Sequence, residues 1–257
     1  MMYFQRLNMD NSFFMDLSGW KILIDPWLEG TEVDYFGWFN TQWHRTVPMD
    51  YNEIPYFDTV LITQKYPDHF HVETLKKLNP KHIIGPKSLK KKLKNMFPSA
   101  KIEGLDTKNN TTLVNDYKVT FLGTKRKIDP IYDAFILDDG KQSVFVSTHG
   151  FYLQDKDLEL LKKASPCKLL ITPFNYYKLP FFLGGVVSPG LEGVKHLCES
   201  IRPKKIIATH DEDKHAKGIV SRLARIKRPS STQNLLKHSW LANRYLEVNH
   251  YNRIQIS

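Results

Sequence analysis

Apolar runs broken by turn residues divide the chain into short strands and a smaller number of helices. Tyr3-Phe4-Gln5-Arg6-Leu7, Ser12-Phe13-Phe14-Met15-Asp16-Leu17 and Trp20-Lys21-Ile22-Leu23-Ile24-Asp25 read as an antiparallel meander, turned at Asn8 to Asn11 and at Ser18-Gly19. The aromatic stretch Tyr35 to Tyr56 has no period and reads as a long loop, a kind of segment that is usually functional. Thr59-Val60-Leu61-Ile62 is a continuous apolar run, the mark of a strand covered on both faces. A helix is expected over residues 72–78, a strand over 82–85 and a lysine-rich helix over 88–96. Strands are expected over 101–103, 117–122, 134–138 and 143–147. Helices over 155–164, 191–201, 217–225 and 232–247 alternate with strands over 168–171 and 205–208, before an edge strand over 253–256.

Each half thus passes from meander strands to alternating strands and helices. Two sheets packed together with helices outside would bury that pattern, so the expected architecture is an α/β fold, a four-layer α/β/β/α sandwich. No linker rich in Pro, Gly or Ser divides the chain. A single domain over 1–257 is expected, with 227–257 supplying a C-terminal helix and the edge strand.

Composition narrows the class. With 257 residues, 41% hydrophobic and 12% aromatic, the chain can bury a sizeable core and is not of disordered type. Two cysteines, Cys167 and Cys198, imply no disulfide framework and suit a reducing compartment. No signal-peptide order opens the chain and no apolar run approaches the ~20 residues of a membrane helix, so a cytoplasmic protein without membrane insertion is expected. The net charge of +10 allows a nucleic-acid partner. Much of the excess sits in Lys76, Lys77, Lys81, Lys87, Lys90, Lys91, Lys92 and Lys94, which read first as a solvated helix face without interleaved aromatics for base stacking. A small-molecule substrate is the expected partner, and nothing fixes the oligomeric state.

Several strand ends carry metal-binding side chains. Asp68 and His69 follow the strand at 59–62, His149 follows Val144-Phe145-Val146-Ser147-Thr148, and His210 follows Ile206-Ile207-Ala208-Thr209, with Asp211 and Asp213 close behind. Strand C-terminal ends are where α/β folds bind ligands. One such histidine alone is a cap or a core-satisfying residue; three after separate strands, one beside a carboxylate, form a candidate site. His82, His196, His215, His238 and His250 stand without such partners and read as structural. Trp27, Tyr35, Phe36, Trp38, Phe39 and Trp43 either wall a pocket or pack a loop. Gly184-Gly185 with Ser188-Pro189-Gly190 reads as a turn before a helix rather than a nucleotide loop.

These motifs resemble the metallo-β-lactamase fold and its branch of metal-dependent hydrolases. The family pattern, a strand followed by Thr-His-x-His-x-Asp-His, is similar to Thr63-Gln64-Lys65-Tyr66-Pro67-Asp68-His69. Ile22-Leu23-Ile24-Asp25-Pro26 is similar to its early strand ending in Asp-Pro. His149 stands where the family has a bridging Asp, and Arg202 to His210 resembles the closing motif. Gln64 and Tyr66 replace the first two histidines, and Leu122 to Lys127 holds no third. Gln64, Asp68-His69-Phe70-His71 and His149 also resemble plant and cyanobacterial members of the fold with Gln in the first slot.

The resemblance implies one empty metal position and one retained. Asp68, His69 and His210 match the retained position, with His149 as a fourth ligand, for one divalent ion: zinc first, iron or manganese as alternatives. Asp68 and His149 are then the catalytic candidates, and Gln64, Tyr66, His71 and Lys125 the substrate contacts, for a hydrolase acting on an ester or phosphoester. The alternative is a degenerate scaffold without metal, in which Asp68 caps the next helix and His69 hydrogen-bonds Asp25.

Overall fold

The first strand already shows its two environments: in β1, Met2–Arg6, buried and half-buried residues alternate, as at the rim of a sheet. The computed structural model describes residues 1–123, 133–229 and 232–257. They form two compact units, one of residues 1–108, 212–223 and 249–257, the other of residues 109–211 and 224–248.

In the first unit β1 pairs antiparallel with β2 (Phe13–Leu17), and β2 with β3 (Trp20–Ile24). The register sets Asp16 opposite Lys21, the polar pair among otherwise buried neighbours. A hairpin follows, β4 (Thr31–Asp34) and β5 (Asn40–Trp43). The chain then runs parallel through β6 (Thr59–Leu61), β7 (His82–Pro86) and β8 (Lys101–Leu105). A late strand, Ile254–Gln255, closes the seven-stranded sheet against β1. Helices α1 (Val72–Leu78) and α2 (Lys90–Met96) lay Leu75 and Leu93 on the buried Phe14, Leu23, Val60 and Ile83. Each such side chain contributes roughly 1.5–3 kcal/mol on burial. The lysines of the run at 76–94 lie exposed on the opposite side.

Parallel pairing positions the chemistry. Ile24 of β3 stands beside Leu61 of β6, so Asp25 and Thr63 leave the sheet at the same edge.

The second unit is built around a six-stranded sheet. Strands β9 (Thr111–Val114), β10 (Tyr117–Leu122), β11 (Ala134–Asp138) and β12 (Ser143–Val146) pair antiparallel. Strands β13 (Cys167–Pro173) and β16 (Lys205–Thr209) extend it in parallel. Between these two, β14 (Tyr176–Lys178) and β15 (Val186–Pro189) join Arg225–Lys227 in a small sheet. Helix α3 (Asp155–Lys162) opens with a capping box between Gln154 and Asp157. Helix α4 (Leu191–Ile201) lays Val194, Leu197 and Cys198 on the sheet core. Val146 neighbours Ile171, and Ile171 neighbours Ile207, so the turns after β12, β13 and β16 leave one edge together.

Several expectations need correction. The stretch at 35–56 is not one loop: it contains β5 and a short 3-10 turn, Tyr51–Glu53, capped by Asp50. The helix expected over 217–225 is reduced to Ile219–Leu223, because strands His215–Lys217 and Arg225–Lys227 claim its ends by pairing with β5 and β14. The helix over 232–247 is split into Thr232–Leu236 and Ser239–Ala242, because His238 takes an extended backbone. The residues around Gly184-Gly185 lead into strand β15 rather than directly into a helix. Among the described residues no helix is long and apolar enough to cross a membrane.

Candidate metal centre

In the first unit, the carboxylate of Asp25 is the anchor. Its backbone has φ 46°, a left-handed turn that a non-glycine residue adopts under constraint. That turn aims the side chain at the loop after β6. Oδ1 accepts the Thr63 N–H at 2.6 Å, and Oδ2 accepts the Thr63 hydroxyl at 2.5 Å. Oδ2 also lies 2.7 Å from Nδ1 of His69. Asp25 is acceptor-only when ionised, so Nδ1 carries the proton and donates it. Nε2 of His69 is then turned to the Asp68 carboxylate, 3.5 Å from Oδ2. A bare imidazole nitrogen and a carboxylate facing one another repel unless a proton or a cation joins them. Burial works to lower the pKa of His69, but Asp68 and Asp25 outweigh it and raise the pKa. Asn11 braces the turn by donating to the Asp68 carbonyl at 2.8 Å.

Lys214 supplies a positive charge to this region. Its Nζ is 2.7 Å from Asp10 and 3.8 Å from Asp68, and it lies over the ring of the buried Trp27. Burial works against its charge, and Asp10 and Asp68 more than restore it, so its pKa is raised. The His44 ring is centred 3.9 Å from that of Trp27. His44 Nδ1 meets Glu212 at 2.7 Å, and Glu212 also accepts the N–H groups of Arg45 and Thr46.

In the second unit, His149 and His210 stand with ring centroids 4.8 Å apart, both half-buried. His210 has φ 55° and its carbonyl accepts from Asn175 at 2.5 Å, which ties the end of β16 to the turn after β13. Gly150 makes the turn beyond His149 possible. It has φ 82°, and a Cβ there would meet the Pro189 ring at 2.7 Å.

The other expected site residues are placed as follows. Gln64 is fully buried and Tyr66 half-buried. His71, rather than Asp68, caps α1: its ring accepts the Thr74 N–H, and burial lowers its pKa. Lys125 and Arg126 lie outside the described residues. Trp27 is core, whereas Tyr35, Phe36 and Trp38 are exposed. Histidines read as partnerless have neighbours after all: His82 bonds Thr59, His215 stacks on Trp43, His196 and His238 pack on Tyr152 and Trp240, and His250 accepts from Asn252. Cys167 and Cys198 are buried free thiols, and burial pushes them up to about 12 and about 11.

Sequence reasoning missed Lys214, Asp10, His44, Glu212, Glu32 and Asp34. The one available signal was the charge run Asp211-Glu212-Asp213-Lys214 directly after His210.

Comparison with known proteins bears on the family and the fold. A family model described as the beta-lactamase superfamily domain matches residues 8–210. Comparison with curated protein sequences finds no match. The chain is similar to Igni18, a novel metallo hydrolase from the archaeon Ignicoccus hospitalis, with TM-score 0.65 and 15% identity over 100% of both chains. It is similar to the isothiocyanate hydrolase from Delia radicum gut bacteria, with TM-score 0.67 and 16% identity, again over 100% of both chains. CmlA, a diiron β-hydroxylase from Streptomyces venezuelae, matches with TM-score 0.58 and 13% identity over 82% of this chain, which spans 45% of that one.

Proposed function

Since the chain belongs to the beta-lactamase superfamily and has its metallo-β-lactamase fold, we propose that it is a metal-dependent hydrolase in which Asp68, His69, His149 and His210 hold one divalent ion. The observation that carries this reading is the relay Asp25–His69–Asp68. A carboxylate that fixes the Nδ1 proton of a histidine leaves Nε2 as the donor, the usual outer support of a metal-bound imidazole. One carboxylate and three imidazoles suit zinc, with iron or manganese as alternatives. Gln64 and Tyr66 stand where the family motif has histidines, so a second ion has no comparable ligand set.

The bound ion would supply hydroxide near neutral pH and polarise a carbonyl or phosphoryl oxygen. Asp68 would orient a water molecule and accept its proton. Asp25 and Thr63 keep His69 from rotating. Tyr66, the least buried of Gln64, Tyr66 and His71, would be the substrate contact. The substrate class is an ester or phosphoester.

The test is metal analysis of protein purified without chelator or histidine tag, beside Asp68→Ala and His210→Ala. Near-stoichiometric metal, lost in both variants, with esterase or phosphodiesterase activity is the expected result. A second reading, a metal-free scaffold, is favoured by the raised pKa of His69, since a proton can replace the ion between Nε2 and Asp68. Metal-free protein whose melting ignores added zinc would establish that scaffold instead.

A further inference from the structure

The turn joining β14 to β15 reverses the rule that exposed loop tips are polar. Residues 179–187 run Leu-Pro-Phe-Phe-Leu-Gly-Gly-Val-Val, without one polar side chain. Phe181 is 96% exposed and Phe182 78%, so both rings stand in solvent. The tip is nonetheless shaped. The Leu179 N–H donates to the Gly185 carbonyl at 2.7 Å, and the Leu183 N–H to the Pro180 carbonyl at 2.9 Å. Single apolar side chains in water are ordinary, but two adjacent rings held out on a hydrogen-bonded turn mark an interaction site.

Behind the tip lies a like-charged strand pair. The register sets Lys178 opposite Arg225 and Tyr176 opposite Lys227, so Lys178, Arg225 and Lys227 share one sheet face. Lys178 and the whole strand Arg225–Lys227 are exposed. Like charges directly opposite one another destabilise a sheet. No carboxylate offsets them: neither 176–190 nor 224–246 contains Asp or Glu. Among the described residues Lys178, Arg225 and Lys227 form no ion pair, and Lys227 only approaches the Tyr176 ring.

We propose that this hairpin docks the protein on an anionic lipid surface. Phe181 and Phe182 enter the boundary between headgroups and acyl chains, and Lys178, Arg225 and Lys227 meet the anionic headgroups. The claim goes beyond the hydrolase reading and does not depend on it.

Charge complementarity and dimensions name the occupant. Lys178 precedes Phe181 by three residues, at most ~10 Å of chain. Interfacial anchors enter a bilayer by about 5–10 Å, so rings at the acyl boundary leave the ammonium group among the headgroups. Durable peripheral binding takes two signals, an apolar one and a basic one, and this hairpin carries both. A nucleic acid would answer the charge alone. Reading or gripping its bases takes hydrogen-bonding side chains or stacking faces along a groove, and the tip has no hydrogen-bonding side chain.

The experiment is cosedimentation of the full chain with sucrose-loaded vesicles, either of phosphatidylcholine alone or of phosphatidylcholine and phosphatidylserine in about a 2:1 ratio. The mixed vesicles should bind roughly tenfold more tightly or better, and added salt should weaken that binding. Replacing both rings, Phe181→Ser with Phe182→Ser, should lower partitioning about tenfold or more. Lys178→Gln and Arg225→Gln should each lower it about fivefold. All four side chains are exposed, so the variants should melt as the parent does. Phe181→Trp supplies a second readout: its added emission should shift to the blue on mixed vesicles and stay unmoved on neutral ones. Absence of binding to mixed vesicles, equal binding to neutral ones, or full binding by the double serine variant would overturn the proposal. So would oligouridylate binding, or a dimer, that the double serine variant abolishes while mixed vesicles are ignored.

Discussion

The Asp25 carboxylate stands 2.7 Å from Nδ1 of His69 and at the same time accepts from the N–H and hydroxyl of Thr63. Two loops leaving neighbouring parallel strands are thereby locked through one side chain. Asp25→Asn keeps the size but replaces an acceptor by a donor facing the Nδ1 proton, so His69 loses its fixed tautomer. Metal affinity should fall roughly 10–100-fold, read by competition with a chelator. Unchanged affinity would show that His69 does not bind the ion.

The buried Glu32 makes a prediction about pH. Burial, then Asp68 and Asp34, push it up to about 9 in the folded protein against an ordinary glutamate value of 4.5, so between these values the folded state keeps a proton that the unfolded chain has lost. Stability conferred by that proton is complete below the lower value and declines as pH rises through the window. Glu32→Gln mimics the protonated form at every pH. It should raise the melting temperature at pH 8–9 by several degrees, for a gain on the order of 1–3 kcal/mol, and have little effect at pH 5. A variant that melts lower at pH 9 would contradict this assignment.

Glu212 has the opposite sign. Burial raises its pKa, but the bonds from His44 and from the Thr46 N–H prevail and lower it. Its contribution is present above the ordinary carboxylate range and is lost as pH falls through the depressed value. Glu212→Ala strands His44 and the N–H groups of Arg45 and Thr46, which should cost about 2–4 kcal/mol in urea unfolding at pH 7. The difference between parent and variant should shrink below pH 4; a constant difference would remove Glu212 as the cause.

Gly150 should tolerate no side chain. Gly150→Ala sets a Cβ against the Pro189 ring at 2.7 Å and strains a backbone at φ 82°, for roughly 1–3 kcal/mol. The turn carrying His149 must move, so metal content should drop together with the melting temperature. A stable variant with full metal content would show that His149 is not a ligand.

The parts of the fold most legible in the sequence were those where one physical rule acts alone. The helices at 72–78 and 191–201, and the strands at 117–122 and 134–138, lie where their hydrophobic periods put them. Asp68, His69, His149 and His210 were legible as candidates because each ends an apolar strand. The β4–β5 hairpin was not, because its pattern is inverted and its turn is aromatic. Lys214 and Glu212 were hidden for another reason: their partners, Asp10 and His44, are remote in sequence, and only the folded chain brings each pair together. The small strands at 215–217 and 225–227 are exposed throughout, so they carry no hydrophobic period to read.

The first unit is closed by late segments: residues 212–223 bring Glu212 and Lys214, and Ile254–Gln255 covers the open edge of β1. During synthesis on a ribosome, that unit therefore waits, with β1 unprotected, until residue 255 has emerged. Unpaired edges of this kind recruit other strands, so chaperone dependence and aggregation should track delays in translating the stretch between β1 and residue 255.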